Sequence, residues 1–186
     1  ARGRRRLALS PRWRDGWSAI RPAASRLLEE RAIFGIYLGD ELVWNGVSPE
    51  HVEAAAAAIR SDLPGAIIWV NEARPPVKSG VTQFSRHIGR PVLPRSASWV
   101  SVDSYHFLPD PEHVHETRRF YFRYLYPSLL ANQSAVLVPG AFASNRNARC
   151  DLECYDSFMA ADAAKFMEWA KIDDRSESPT ASQHPP

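Results

Sequence analysis

The sequence predicts an α/β fold built on a parallel sheet, and three observations carry that prediction. Short apolar runs rich in Val and Ile alternate with longer stretches whose apolar residues recur at helical spacing. The first three runs lead into Asp40-Glu41, Asn71-Glu72 and Asp103, and the fourth into Pro139-Gly140. The composition is that of an ordinary globular chain: 186 residues, 45% hydrophobic and 24% charged, for which one domain is the default. No run of 18 apolar residues occurs, so no membrane partner is expected.

The elements follow in order. Trp17 to Arg31 reads as a helix with an apolar stripe of Ile20, Ala24, Leu27 and Leu28. Ile33 to Leu38 reads as a buried strand that ends at Gly39-Asp40-Glu41. Ser48-Pro49-Glu50 is a helix start, with Ser as N-cap and Pro at the first helical position. That helix carries Val52, Ala55, Ala56 and Ile59 to about Asp62, where Leu63-Pro64-Gly65 stops it. Ile67 to Val70 is a second strand. Residues 73–98, with Pro75, Pro76, Pro91 and Pro94, show no helical period and read as an irregular insert. Trp99 to Val102 is a third strand ending at Asp103. Glu112 to about Tyr126 is a helix that Pro127 ends or kinks. Ala135 to Val138 is a fourth strand, and Asp151 to Lys171 a last helix.

The formal net charge of +2 hides a split. Residues 1–31 hold nine Arg against three acids, so they carry +6 and the remainder −4. Arg2-Gly3-Arg4-Arg5-Arg6 is followed by only Leu7-Ala8-Leu9 before Ser10-Pro11, short of the ~7–15 apolar residues of a secretory signal. Residues 1–16 are therefore expected to be a disordered basic leader, and the Pro/Ser-rich residues 174–186 a disordered tail, around a domain at 17–173. No aromatic-interleaved basic stripe follows the leader, so no nucleic-acid partner is expected. Cys150 and Cys154 are too few for a disulfide framework. Their spacing suits either a small stapled loop or one helical face.

In a parallel sheet the strand C-termini gather on one edge, which is where such proteins place their sites. Side-chain alternation then sorts the candidates. On the first strand Phe34, Ile36 and Leu38 share a face suited to packing under helices, leaving Gly35, Tyr37, Gly39 and Glu41 on the other. On the third, Val100 and Val102 oppose Ser101, Asp103 and Tyr105. Glu41 and Asp103 are thus expected to point into a common site. On the second strand alternation favours Asn71, beside Trp69, over Glu72 as inward-facing, unless a bulge intervenes. Two carboxylates in one cleft suit glycoside hydrolysis, one as acid and one as nucleophile or base. Like charges push their pKa values apart and let the roles differ. Tyr37, Trp44, Trp69, Trp99, Tyr105 and Phe142 are placed to stack on sugar faces, and His106 to bond a sugar hydroxyl or orient Asp103. Carboxylates at strand ends also cap helices or pair with the chain's 20 Arg, which is the competing structural explanation. Asp110, Glu112, His113, His115 and Glu116 do not follow the H-E-x-x-H spacing, and acids in a first helical turn are explained by the dipole, so no metal is expected.

The series Leu38-Gly39-Asp40-Glu41, Val70-Asn71-Glu72-Ala73, Ser101-Val102-Asp103-Ser104-Tyr105-His106 and Val138-Pro139-Gly140 resembles the C-terminal half of TIM-barrel glycosidase-like proteins, over about residues 33–173. The resemblance implies a partial (β/α)8 TIM-barrel-like fold of about four parallel βα units, since a complete barrel takes at least ~200 residues. It implies a glycoside hydrolase-like protein whose partner is a carbohydrate substrate. Asn71-Glu72 is similar to the Asn-Glu pair that carries the acid/base in several glycosidase families, which would make Glu72 the acid despite the alternation argument. The candidate carboxylates are then Glu41, Glu72 and Asp103, with Tyr37, Trp69, Asn71, Tyr105 and His106 binding substrate. Three departures stand beside it: no clear helix after Glu72, no nucleophile at Val138-Pro139-Gly140, and no final strand after Asp173. They leave open a non-catalytic, truncated barrel that binds carbohydrate or has no activity. No G-x-S-x-G, G-x-G-x-x-G or P-loop occurs, so a serine hydrolase lacks its elbow and no nucleotide cofactor is expected.

Overall fold

A computed structural model of the chain describes residues 7–82, 91–103 and 113–138, together with Ala164, Lys165 and Glu168. The fold is mixed α/β. Strands β1 (Gly35–Asp40), β2 (Ile67–Ala73), β3 (Trp99–Asp103) and β4 (Ser134–Val136) form one sheet in the order β1-β2-β3-β4, every pair parallel. Four α-helices accompany them among the described residues: α1 (Trp13–Glu29), α2 (Pro49–Asp62), α3 (Arg74–Ser79) and α4 (His113–Phe120). None is long and apolar enough to cross a membrane.

The chain divides into two compact units. One comprises Ala1–Ser104 with Arg119–Val138 and holds the whole sheet; the other comprises Tyr105–Arg118 with Pro139–Pro186. In the second unit, residues 113–118 belong to α4, and Ala164, Lys165 and Glu168 are helical. The candidate site is built entirely from the first unit.

Helix α1 starts at Trp13, four residues before the expected position, inside the stretch read as a disordered leader. Its first turn is supported by Asp15, which pairs with Arg12 at 2.9 Å. The buried stripe also differs from the expected one. Trp17 and Leu28 pack around Ala24 with Leu63, Ala66 and Ile36, while Ile20 is 59% exposed. Helix α2 begins as its sequence demands. Ser48 caps it by accepting the His51 N–H at 3.2 Å, and Pro49 occupies the first turn, where its missing N–H costs nothing. Its Ala56 and Ile59 pack on Ile68, with Ile36 and Leu38 beside them. Phe34 does not join this face. It lies before β1, is 65% exposed and stacks on Trp99 at 5.5 Å.

The insert after β2 contains a helix the sequence reading lacked. In α3, Pro75 and Pro76 sit in the first turn, where they start a helix rather than break one, and Gly80 closes it in the left-handed conformation. Helix α4 passes at Tyr121–Leu125 into a π turn and at Tyr126–Ser128 into a 3-10 turn that contains Pro127. Tyr121 is buried there. Its hydroxyl donates to the Val136 carbonyl at 3.0 Å and accepts the Val102 N–H at 3.4 Å, bridging β3 and β4 where their ladder stops. The core of the sheet is the row Ile68, Val70, Val100 and Val102, all fully buried. Each such side chain contributes roughly 1.5–3 kcal/mol. The backbones of β1 and β2 meet so closely that a Cβ on Gly35 would collide with the Ile67 carbonyl, so only glycine fits.

Candidate active site at the C-terminal edge of the sheet

The face of the sheet opposite Ile68 and Val70 carries one aromatic row and one polar row. Tyr37, Trp69 and Trp99 are register partners across three strands, and the Tyr37 and Trp69 rings lie 4.7 Å apart. The next row toward the C-terminal edge is Asp40, Asn71 and Ser101. Asp40 reaches that row because β1 contains a bulge. Tyr37 pairs with Trp69 and Asp40 with Asn71, so β1 spends three residues where β2 spends two. Gly39, at φ +144°, absorbs the irregularity.

Asn71 is the hub. Its Nδ2 donates to Asp40 Oδ1 at 2.7 Å and to Asp103 Oδ1 at 2.6 Å. Its Oδ1 accepts from the Ser101 hydroxyl at 2.6 Å, and Ser101 in turn accepts from the Trp69 indole N–H at 2.8 Å. The amide group thereby uses both donors on two carboxylates, which lie no farther apart than those two bonds laid end to end. Its orientation is fixed by the Trp69-Ser101 relay behind it. Tyr37 donates to Asp40 Oδ1 at 3.3 Å. Burial, and then the neighbouring charges of Asp40, Asp103 and Glu72, push the Tyr37 phenol up to about 12, so it stays protonated.

Glu41 follows β1 in the left-handed conformation, at φ +47°. Its N–H donates to the Asn71 carbonyl at 2.9 Å, and its own carbonyl accepts from Asn45 N and Asn45 Nδ2 at 2.8 and 2.9 Å. The Glu41 carboxyl is half-buried and raised above the ordinary carboxylate range. Burial is the main cause, the charges of Asp103 and Asp40 add to it, and the Asn45 side chain partly offsets it.

Glu72 stands elsewhere. It is fully buried, and its carboxylate accepts backbone N–H groups of the turn after β1: Val43 at 2.7 Å and Trp44 at 3.3 Å, with Ala73 at 3.3 Å. Burial outweighs those three bonds, and with the charge of Glu41 it pushes the carboxyl up from 4.5 to about 7. Alternation predicted this orientation, since Asn71 and Glu72 project to opposite faces of a regular β2. Glu72 has no exposed surface.

The structure thus brings together five of the residues expected from sequence: Tyr37, Glu41, Trp69, Asn71 and Asp103. Tyr105 and His106 lie outside the described residues, as do Phe142, Cys150 and Cys154. Two participants were missed. Asp40 was passed over because regular alternation puts it on the helix side, although an isolated Gly39 within a strand is itself a bulge signal. Ser101 was placed on the right face without a partner. Among the described residues, no group of three or more His, Cys, Asp or Glu is arranged to hold a metal ion.

No model of a known family, no curated protein and no solved structure matches the chain. Function is therefore argued from the site itself. Asp40, Glu41 and Glu72 are met there by neutral donors: an amide, a phenol and backbone N–H groups. Among the described residues no Lys or Arg bonds to Asp40, Glu41 or Glu72, and the charges acting on Glu41 are those of other carboxylates.

Proposed function

We propose that this edge of the sheet is a glycoside hydrolase-like site acting on a carbohydrate. The observation that carries the reading is the three-carboxylate cluster around Asn71: two acceptors fixed by one amide, and Glu41 raised by its burial and by their charges. Environments that drive neighbouring carboxyls apart assign acid and base roles. Glu41, held toward its protonated form, is the general acid toward the glycosidic oxygen. Asp103, held by the Asn71 amide N–H, is the nucleophile or base, with Asp40 fixing the far side of Asn71. The half-buried Trp69 and exposed Tyr37 supply an aromatic shelf beside the carboxylates. The strand order favours the partial-barrel interpretation. Four parallel strands in strict sequence order are what a segment of a (β/α)8 barrel contains, whereas a doubly wound sheet reverses its order at a switch point.

Aryl glycosides of several sugars, incubated with the full chain and with its Glu41→Gln and Asp103→Asn variants, test this. Turnover by the wild type that falls in both variants is expected. Turnover that neither substitution changes overturns it. The second reading, carbohydrate binding without hydrolysis, is favoured by the aromatic shelf alone. Calorimetry against a sugar panel separates the two: heat of binding with no released aglycone points to the shelf and away from the acid.

A further inference from the structure

Glu72 is the one fully buried carboxyl of the described residues that the proposed chemistry does not use. Its partners say what it does. The turn after β1 is tied to β2 by two successive residues of that strand. The Asn71 carbonyl takes the Glu41 N–H at 2.9 Å, and the Glu72 carboxylate takes the N–H groups of Val43 and Trp44. Within the turn, Asn45 N bonds the Glu41 carbonyl at 2.8 Å, and Val47 N the Leu42 carbonyl at 3.0 Å. Glu41 sits at the hinge in a left-handed conformation that a non-glycine residue adopts only when its surroundings hold it there.

We infer that Glu72 is a positioning residue that clamps the turn bearing Glu41, and that the clamp loosens when Glu72 takes up a proton. An ionised carboxylate is acceptor-only, and here its two oxygens face three backbone N–H groups. Protonation turns one oxygen into a donor and a weaker acceptor facing N–H groups that are donors themselves, so the bonds it accepts are weakened. Among the described residues, Glu41 and Tyr37 are the titratable groups coupled to this proton. Glu41 repels the charged form, and Tyr37, whose phenol feels the Glu72 charge, stays neutral. Arg74, two residues along the chain, lies over the Phe120 ring at 5.3 Å. Burial brings the titration close to pH 7, so the change falls where an enzyme works. The clamp is independent of any activity. Its consequence for catalysis, a Glu41 carboxyl less firmly aimed in acid, rests on the hydrolase reading.

Backbone amide NMR of the full chain between pH 5 and 9 tests the clamp without a substrate. The Val43 and Trp44 amide protons are expected to move together with one midpoint near 7, shifting downfield as the carboxylate forms. Their hydrogen exchange, corrected for pH, is expected to slow at the same midpoint. In Glu72→Gln, an uncharged side chain of the same size, both titrations should be flat while the rest of the spectrum keeps its dispersion. Val43 and Trp44 amides that do not titrate in the wild type overturn the inference, as does an unchanged titration in Glu72→Gln. Because the wild-type titration needs no variant, a poorly folding Glu72→Gln leaves the test intact. Absence of glycoside turnover, in contrast, bears on the hydrolase reading alone.

Discussion

The two edges of the sheet use polar side chains in opposite ways. At the N-terminal edge they span gaps between elements and mostly end on backbone. Arg60, from α2, donates to the Ser96 carbonyl at 3.1 Å, the Ala66 carbonyl at 3.4 Å and the Ser98 hydroxyl. Gln133 donates to the Pro94 and Ala97 carbonyls at 2.8 and 3.1 Å, and Glu53 accepts from Ser96 N and Oγ. Each bond there closes a loop entering a strand. At the C-terminal edge, Asp40, Asp103 and Glu41 are gathered around one amide and act on each other's charge. Closing loops needs no such gathering, and at Glu41 the neighbouring charges add to burial in disfavouring the charged form. In α/β proteins the N-terminal edge serves stability and the C-terminal edge serves chemistry. The proposed site lies on the second of these edges.

The largest expected effect belongs to the C-terminal edge. General acid catalysis contributes typically ~10²–10⁴-fold to a rate. Glu41→Gln should lower kcat/KM on aryl glycosides by that range, while thermal unfolding followed by circular dichroism stays near the wild-type midpoint. An aryl glycoside with a good leaving group should recover part of the loss, because it needs little protonation. A large drop in the unfolding midpoint would instead assign Glu41 to the structural side of the comparison.

Glu72 gives the next effect, in stability rather than rate. A carboxyl raised on folding holds its proton more tightly in the folded chain. Its stabilising contribution is therefore complete below the ordinary value of 4.5 and is lost as pH climbs through about 7. At about 1.4 kcal/mol per unit, the loss is on the order of 3 kcal/mol between pH 4.5 and 8. Urea titrations across that range should show it in the wild type and not in Glu72→Gln. The clamp and this trend are compatible. Protonation relieves the cost of a buried charge for the molecule as a whole, while weakening the bonds to the turn.

Much of this was readable in the chain, and the exceptions have physical causes. The parallel α/β class, the Ser48-Pro49 helix start and the Asp103 strand end all follow from local chemistry that the structure repeats. Alternation also placed Tyr37, Trp69, Asn71 and Ser101 on one face, because β2 and β3 are regular over that stretch. It failed at Asp40, which one extra residue in β1 moves to the opposite face. The role of Glu72 had no local signal at all. Its partners are 28 and 29 residues earlier in the chain, and only the folding of the turn onto β2 brings them together. The family resemblance pointed to Glu72 as acid; its full burial against backbone N–H groups is what the clamp inference starts from.

A matched pair of substitutions sharpens the contrast between the edges. Asn71→Ala strips the donor from two carboxylates and the acceptor from Ser101, and Arg60→Ala strips the donor from two carbonyls and Ser98. Leaving buried polar groups unpaired costs roughly 1–3 kcal/mol in each case, so the two should unfold at similarly lowered urea concentrations. Only Asn71→Ala should also change carbohydrate turnover and its pH profile. Equal effects on turnover would mean that the C-terminal edge is not functionally distinct.

Tyr37 yields the smallest effect and separates two ways a side chain can serve the site. Its hydroxyl is 3.3 Å from Asp40 Oδ1, a long bond at a residue that is 48% exposed. Tyr37→Phe should therefore cost about 0.5 kcal/mol or less, at the low end for a hydrogen bond in contact with water. The ring keeps its place against Trp69, 4.7 Å away, so sugar affinity measured by calorimetry should hold. Tyr37→Ala removes the outer half of the shelf and should weaken binding several-fold, with the Asn71 cluster intact. If Tyr37→Phe weakens binding as much as Tyr37→Ala, the phenol rather than the ring faces the substrate. The exposed aromatic row would then be a wall of the site and Asp40 a direct sugar ligand, because the hydroxyl that holds Asp40 would be the one that substrate competes for.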